Sequence, residues 1–365
     1  MYRNPLECTL KNQLNRNLDL IMIFSKKVLK RFIHPYFRVL DYNANWKLSK
    51  YEVNKMLNGQ ELQIIDIGAR NFSLSELDGF RTLCDYIAFD ADEQEALRLR
   101  KDKQGKGFAR FRVIPFYVGN KVGVRDFHIY NSPGLSSSLY PDKYYLEAFS
   151  NSSEYVIKKT VSVHESTLDK ITLHYSLNPD FIKLDTQGTE LDILKNADNA
   201  TKECMMIESE TEMIPMYSGQ SLFHDVSSFL YKKGFQLLYL NRVFGQKKYS
   251  KKSCRGQLIF ADALYGITIE KALTLPIEKQ LKYCCLLINY GLIDSAIELH
   301  DSNPLISKKS RAITEYLKKY RTEVKFNSLI KTICTGCINK FVIWLLSIIK
   351  TNGLHVDSDR SWNIR

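Results

Sequence analysis

Residues 61–70, ELQIIDIGAR, decide the fold. The largely apolar stretch 62–67, interrupted only by Gln63 and Asp66, fits a strand covered on both faces, and Gly68 behind Asp66 lets the backbone turn tightly beside a ligand. By itself the pattern is common, because strands ending in Asp-x-Gly also occur in α/β proteins that bind nothing there. Its weight comes from the rest of the chain.

Downstream of residue 61, apolar strands alternate with amphipathic segments, the pattern of a doubly wound sheet with helices on both faces. The reading places strands at 62–67, 86–89, 111–118, 181–184, 205–207, 235–240 and 257–260, with helices at 73–83, 93–101, 190–197 and 221–232. The last two strands have no crossover helix between them, which predicts an antiparallel hairpin. An extended insertion, 124–130 and 154–164 around the turn 131–134, would sit above the carboxyl ends of the sheet.

The carboxylates recur at strand ends. Asp90 closes the second strand 24 residues after Asp66, where an acidic side chain accepts hydrogen bonds from the ribose hydroxyls of an adenosine. The fourth strand delivers Asp185, Gln187 and Glu190 into the first turn of a helix, and the fifth delivers Glu208 and Glu210. The alternative for Asp90 is a solvated loop acid, and for the others a helix cap or a metal ligand.

Composition bounds the rest. The chain of 365 residues is 44% apolar and 12% aromatic, so it is globular and enzyme-sized. Its net charge of +12 is uneven: residues 1–60 hold 11 Lys/Arg against 4 Asp/Glu, residues 268–365 hold 15 against 9, and 61–267 hold 26 against 27. A neutral centre argues against nucleic acid as the partner, since phosphate neutralisation needs basic residues around the site. The basic flanks solubilise the protein, with peripheral contact to a membrane surface as the second reading. Eight cysteines lack the spacing of a disulfide scaffold, which points to a reducing, cytoplasmic setting. The apolar stretches 18–24 and 341–349 are too short to span a membrane.

These features predict four regions: an N-terminal helical cap and linker over 1–60, the sheet domain over 61–267, a C-terminal helical region over 268–350 and a polar tail over 351–365. The cap is the amphipathic stretch 8–34, joined to the core through the polar 41–60. The C-terminal region consists of helices over 276–300 and 326–349, and Cys334-x-x-Cys337 lies on an apolar stripe, so it reads as core. No metal ligand set is expected.

Taken together, IIDIGAR, FDADEQEAL, PGLSSSLYPD, STLD, DFIKLDTQGTELDILKNA, PMYSGQSLF, FLYKKGFQLL and FADALY occur in one order over residues 61–267. The chain resembles the FkbM-type methyltransferases, and DFIKLDTQGTELDIL is the most specific of these strings. The resemblance implies a class I methyltransferase-like seven-stranded sheet with an antiparallel last strand. It also implies S-adenosylmethionine as cofactor and O-methylation of a sugar hydroxyl in a glycan or cell-surface polysaccharide, or of a secondary metabolite. Carried onto this sequence, Asp66, Gly68, Ala69 and Arg70 would hold the methionine end, Asp90 the ribose, and Ala91 and Asn120 would lie by the adenine. Asp185 and Glu190 would line the active site, with Asp185 as base or acceptor anchor and Gln187, Glu208 and Glu210 positioning acceptor hydroxyls. Ser137, Tyr140 and Tyr217 are the candidate acceptor-binding side chains. The sequence is also compatible with a homo-oligomer.

One position departs from the family pattern. Asn71-Phe72 stands where the family has a further glycine. The alternative reading is therefore a degenerate scaffold that lost transfer and acts as an interaction module. A nicotinamide oxidoreductase ranks last, because the three-glycine phosphate loop is missing.

Overall fold

The structure is a computed structural model that describes residues 47–70, 75–101, 107–249 and 256–322. The helical cap over 8–34, the Asn71-Phe72 pair, the helix over 326–349 with its two cysteines, and the tail over 351–365 lie outside the described residues.

In chain order the elements are α1 (Lys50–Leu57), β1 (Leu62–Ile67), a 3-10 helix (Ser75–Leu83), β2 (Cys84–Asp90), α2 (Glu93–Lys101) and β3 (Arg110–Pro115). The insertion comes next as β4 (Tyr117–Gly119), β5 (Gly123–Tyr130), α3 (Lys143–Leu146) and β6 (Ile157–Thr167). Then come α4 (Leu168–His174), β7 (Phe181–Leu184), α5 (Glu190–Leu194), β8 (Met206–Glu212), α6 (Phe223–Lys232) and the hairpin β9 (Phe235–Gly245) with β10 (Gln257–Ile267). Helices α7 (Ile269–Leu273), α8 (Ile277–Asn289), α9 (Ile293–Ser302) and α10 (Pro304–Lys309) complete the labelled elements.

The main sheet has seven strands in the order β3-β2-β1-β7-β8-β10-β9. Strands β3, β2, β1, β7 and β8 run parallel, and β10 runs antiparallel to both β8 and β9. The chain winds outward from β1 to β3, returns through the insertion, and resumes at β7 on the other side of β1. That reversal opens a crevice at the carboxyl ends of β1 and β7, the place where doubly wound sheets bind ligands. Strands β1, β2 and β7 are buried almost throughout, as their near-continuous apolar sequences require.

Several elements differ from the sequence expectation. The third strand does not run to residue 118: β3 stops at Pro115, which has no N–H for a neighbour, and residues 117–119 cross into a second sheet ordered β4-β6-β5. The fifth strand is longer than 205–207, so Glu208, Glu210 and Glu212 lie inside β8 rather than after it. The final hairpin is antiparallel as expected, with both strands longer than predicted.

The polar stretch before β1 is not a plain linker. Ser49 and Glu52 close a capping box on α1, and the helix buries Val53, Met56 and Leu57. The Leu48 N–H donates to Asn289 Oδ1 at 2.9 Å, and Ser310 Oγ donates to the Met56 carbonyl at 2.8 Å. The expected helix over 276–300 breaks at Tyr290-Gly291, where Gly291 takes a φ of +74°, and α8 is buried along most of its length. Buried Asp180 anchors α8 to the sheet by accepting from Lys279 Nζ at 2.7 Å, Lys282 Nζ at 2.9 Å and the Gln63 N–H at 2.8 Å. The described residues 47–322 thus lie in one compact unit. No helix among them is long and apolar enough to cross a membrane.

Candidate active site

The turn after β1 is shaped by what it lacks. Gly68 has a φ of +80°, and a Cβ there would fall 1.9 Å from the Asp185 carbonyl oxygen. Only glycine permits that approach and that backbone angle together. The N–H groups of Gly68 and Ala69 both donate to the Phe89 carbonyl, at 2.9 and 3.1 Å, and the Asp185 N–H donates to the Ile67 carbonyl at 2.9 Å. The ends of β1, β2 and β7 are therefore stitched into one floor. Asp66 beneath it is 1% exposed and accepts a short hydrogen bond from the Tyr86 hydroxyl.

Arg70 is placed otherwise than expected. Its guanidinium points to the strand-two side, 3.5 Å from Asp92 and 3.6 Å from Glu95, and steadies that loop. Asp90 ends β2 at 7% exposure and accepts the Asp92 N–H at 2.8 Å. Burial pushes its carboxyl up to about 7, against the opposing pull of the Asp92 N–H and Arg70. Ala91 comes next, half-buried. Asn120 does not stand at the end of the third strand. It lies just past β4 in the second sheet, exposed, where its side chain donates to Asp192 at 3.3 Å and accepts from Arg125 at 2.9 Å.

The turn after β7 is shaped by the partners it gathers. Gln187 has a φ of +58°, unusual for a residue other than glycine, and its side chain holds it there. Gln187 Nε2 donates to Asp185 Oδ1 at 3.0 Å and to Glu210 Oε1 at 2.7 Å, and Oε1 lies 2.9 Å from the Tyr217 hydroxyl. The Gln187 carbonyl accepts from Ser137 Oγ at 2.8 Å. With its amide so engaged, Gln187 orients Asp185 and Glu210. Glu190 is also engaged within the turn: its carboxylate accepts from the N–H of Thr186 at 2.7 Å, the Thr186 hydroxyl at 2.9 Å and the Gly188 N–H at 3.0 Å. It locks the turn.

Ser137 and Tyr217 are 0% and 1% exposed, and they bind the turn to the insertion. Tyr117 extends this roof, with its hydroxyl 2.7 Å from Ser138 Oγ. Tyr140 is 62% exposed, with its ring 4.3 Å from that of buried His128. Of the three acceptor-side candidates it alone offers a free face.

Lys183 is the residue that sequence reasoning passed over. It sits on β7 at 4% exposure with its Nζ 3.1 Å from Asp185 Oδ2. Register places Asp66 beside it on β1 and Glu208 on β8. Burial disfavours its charge, yet Asp185, Asp66, Glu208 and Asp262 outweigh burial and hold the ammonium protonated. The signal was present as a lone lysine inside Phe181–Leu184. Among the described residues no group of three His, Cys, Asp or Glu side chains is arranged to hold a metal ion.

The glycine turn, the buried Asp90 and the strand order together bear the pattern of a nucleoside-cofactor site, and the family model for the Methyltransferase FkbM domain matches residues 66–237. This chain carries an FkbM methyltransferase domain. The domain is a methyltransferase, and S-adenosylmethionine is its methyl donor. Three solved structures are similar in part. Precorrin-6y C5,15-methyltransferase from Geobacter metallireducens GS-15 is 13% identical, covering 59% of this chain and 85% of its own at a TM-score of 0.31. Magnesium protoporphyrin IX methyltransferase from Synechocystis PCC 6803, solved with bound SAM, is 9% identical, covering 60% and 79% at a TM-score of 0.31. TrmK of M. capricolum, solved with S-adenosyl-homocysteine, is 13% identical, covering 74% and 98% at a TM-score of 0.27. No curated protein sequence matches the chain.

The residues present fit the cofactor. Gly68 leaves a gap that a Cβ would fill, and Asp90 provides a buried acceptor for a ribose diol.

Proposed function

We propose that the FkbM domain O-methylates a hydroxyl of a sugar, in a glycan or a small glycoside. One observation carries the reading. Asp185 stands at the carboxyl end of β7 with its side chain 26% exposed, against the Gly68 turn and fixed by Lys183 and Gln187. A partly open carboxylate held beside the cofactor turn is suited to receive a hydroxyl proton. S-adenosylmethionine supplies an electrophilic methyl group. Asp185 orients the acceptor O–H and takes its proton as the oxygen gains that methyl, and Gly68, Ala69 and Asp90 hold the cofactor in place. The exposed Tyr140 ring, in the insertion that packs on the Gln187 turn through Ser137, supports a sugar acceptor, because an aromatic face with a polar tip matches the mixed surface of a pyranose.

The test is calorimetric titration with S-adenosylmethionine, then incubation with the methyl-labelled cofactor, a panel of methyl glycosides and glycan extracts. Label in an alkali-stable methyl ether of a sugar is the expected result. Label on nitrogen alone, or a folded protein that binds no cofactor, would sink the proposal, the second outcome favouring an interaction scaffold. In this reading the protein is cytoplasmic and its basic flanks touch a membrane surface, which fractionation of cells into soluble and membrane-bound pools checks.

A further inference from the structure

Asp185 and Glu210 share one amide, since Gln187 Nε2 donates to both. Two carboxylates bridged in this way do not both ionise readily, because like charges at close range raise one another's proton affinity. The site breaks the tie through Lys183, whose ammonium lies 3.1 Å from Asp185 Oδ2. Glu210 accepts from a neutral amide instead, and burial, then the charge of Asp185, raises its proton affinity well above the usual carboxylate range.

The groups facing Asp185 come from every neighbouring element. Glu210 and Glu212 on β8 act on it directly, while Asp66 on β1, Glu208 on β8 and Asp262 on β10 surround its partner Lys183, and Glu190 on α5 acts on Glu210 and Glu212. Lys183 brings a positive charge into direct contact with Asp185 in this acidic surrounding.

We propose that Lys183 is a positioning residue that keeps Asp185 ionised and aimed at the acceptor, while Glu210, the other acceptor of the Gln187 amide, keeps its own proton. This rests on the O-methyl transfer reading above. During transfer the acceptor O–H proton passes to a carboxylate oxygen of Asp185 as the oxygen forms its bond to the methyl carbon and the sulfur–methyl bond breaks. The proton then leaves to water through the exposed side of Asp185, and Glu210 keeps its own proton throughout. The same row also couples the two halves of the site: Lys183 stands between Asp66 under the cofactor turn and Glu208, one pleat below Asp185.

The experiment is isotope-edited infrared difference spectroscopy on the full-length protein labelled with carboxyl-13C aspartate. At neutral pH, wild type minus Asp185→Asn is expected to show an aspartate carboxylate and no carboxylic-acid band. Lys183→Met is expected to add a carboxylic-acid band that disappears in the Lys183→Met, Asp185→Asn double variant, and Lys183→Arg to retain the carboxylate. A carboxylic acid at Asp185 in the wild type, or an unchanged carboxylate in Lys183→Met, overturns the proposal. Should Lys183→Met fail to fold, the wild-type titration decides: a carboxylate retained below about pH 5 supports it, and protonation between about pH 6 and 7 overturns it.

Methyl-glycoside turnover gives the functional arm. Lys183→Met is expected to lower kcat about 100-fold with little change in acceptor KM and to move the pH profile to higher pH. A purely structural lysine would change stability and leave the profile in place. Calorimetry with S-adenosylmethionine runs alongside. An ionised Asp185 in a protein that binds no cofactor rejects the transferase reading, whereas cofactor binding with a protonated Asp185 rejects the role given to Lys183.

Discussion

The turn after β1 keeps its shape because Gly68 carries no side chain, and the turn after β7 keeps its shape because the side chain of Gln187 is held by three others. The two turns meet across the crevice where the sheet reverses direction, yet they respond to change in different ways. A vacancy fails when anything enters it. A hydrogen-bonded hub fails by degrees, as each buried partner is left without its mate.

The widest gap between them should come from Gly68→Val. The branched side chain meets the Asp185 backbone and a φ of +80°, so unfolding stability should drop by about 4 kcal/mol or more and cofactor binding should vanish, as read by denaturant melts and calorimetry. Asp185→Asn isolates the opposite side. Methyl transfer should fall by about 10²–10⁴-fold while S-adenosylmethionine still binds, and wild-type turnover in this variant would exclude Asp185 as base.

Gln187→Leu should cost about 1–3 kcal/mol, because Asp185, Glu210 and Tyr217 each lose a partner in one change. A variant as stable as the wild type in thermal melts would show that the hub does not hold the turn.

Asp90 gives a smaller effect with a definite sign. Its carboxyl is raised to about 7 in the folded chain, above the unfolded value near 3.9, so the folded state holds the extra proton between these limits. Its contribution to stability therefore falls as pH climbs from about 4 to about 7. A ribose diol donates to the ionised form, so S-adenosylmethionine affinity should rise about tenfold between pH 6 and 8, and Asp90→Asn should flatten that dependence. The least change is expected from Tyr140→Ala. At 62% exposure its loss should alter stability by no more than about 0.5 kcal/mol, while acceptor KM rises, which steady-state kinetics would detect.

The first of these turns was legible in the sequence because its signal is local. An apolar run, an Asp and a Gly sit within residues 62–68, and the second acid stands at the end of the next apolar run. The elements that were misjudged were those in which charge concealed burial. The Glu208-Ser-Glu-Thr-Glu212 segment reads as polar, yet it continues β8 beside Lys183, and the stretch before β1 reads as a linker because its buried Val53, Met56 and Leu57 are spaced among charged residues.

Sequence alone determined the doubly wound sheet, the antiparallel last strand, the glycine in the turn after β1 and the acids Asp90 and Asp185 at the ends of β2 and β7. Alternation, glycine and strand-end position are properties of neighbouring residues, and they survive without knowledge of the partner strand. Tertiary structure decided what each polar group does. It turned Glu190, Ser137 and Tyr217 inward as supports, sent Arg70 to the strand-two loop, left Tyr140 open, and set Lys183 beneath Asp185. Those roles depend on partners such as Ser137 with Gln187 and Asp66 with Lys183, which lie far apart in the chain and meet only when the strands pair in register. A hydrogen bond or an ion pair is a property of two positions in space, and the second position is supplied by the fold.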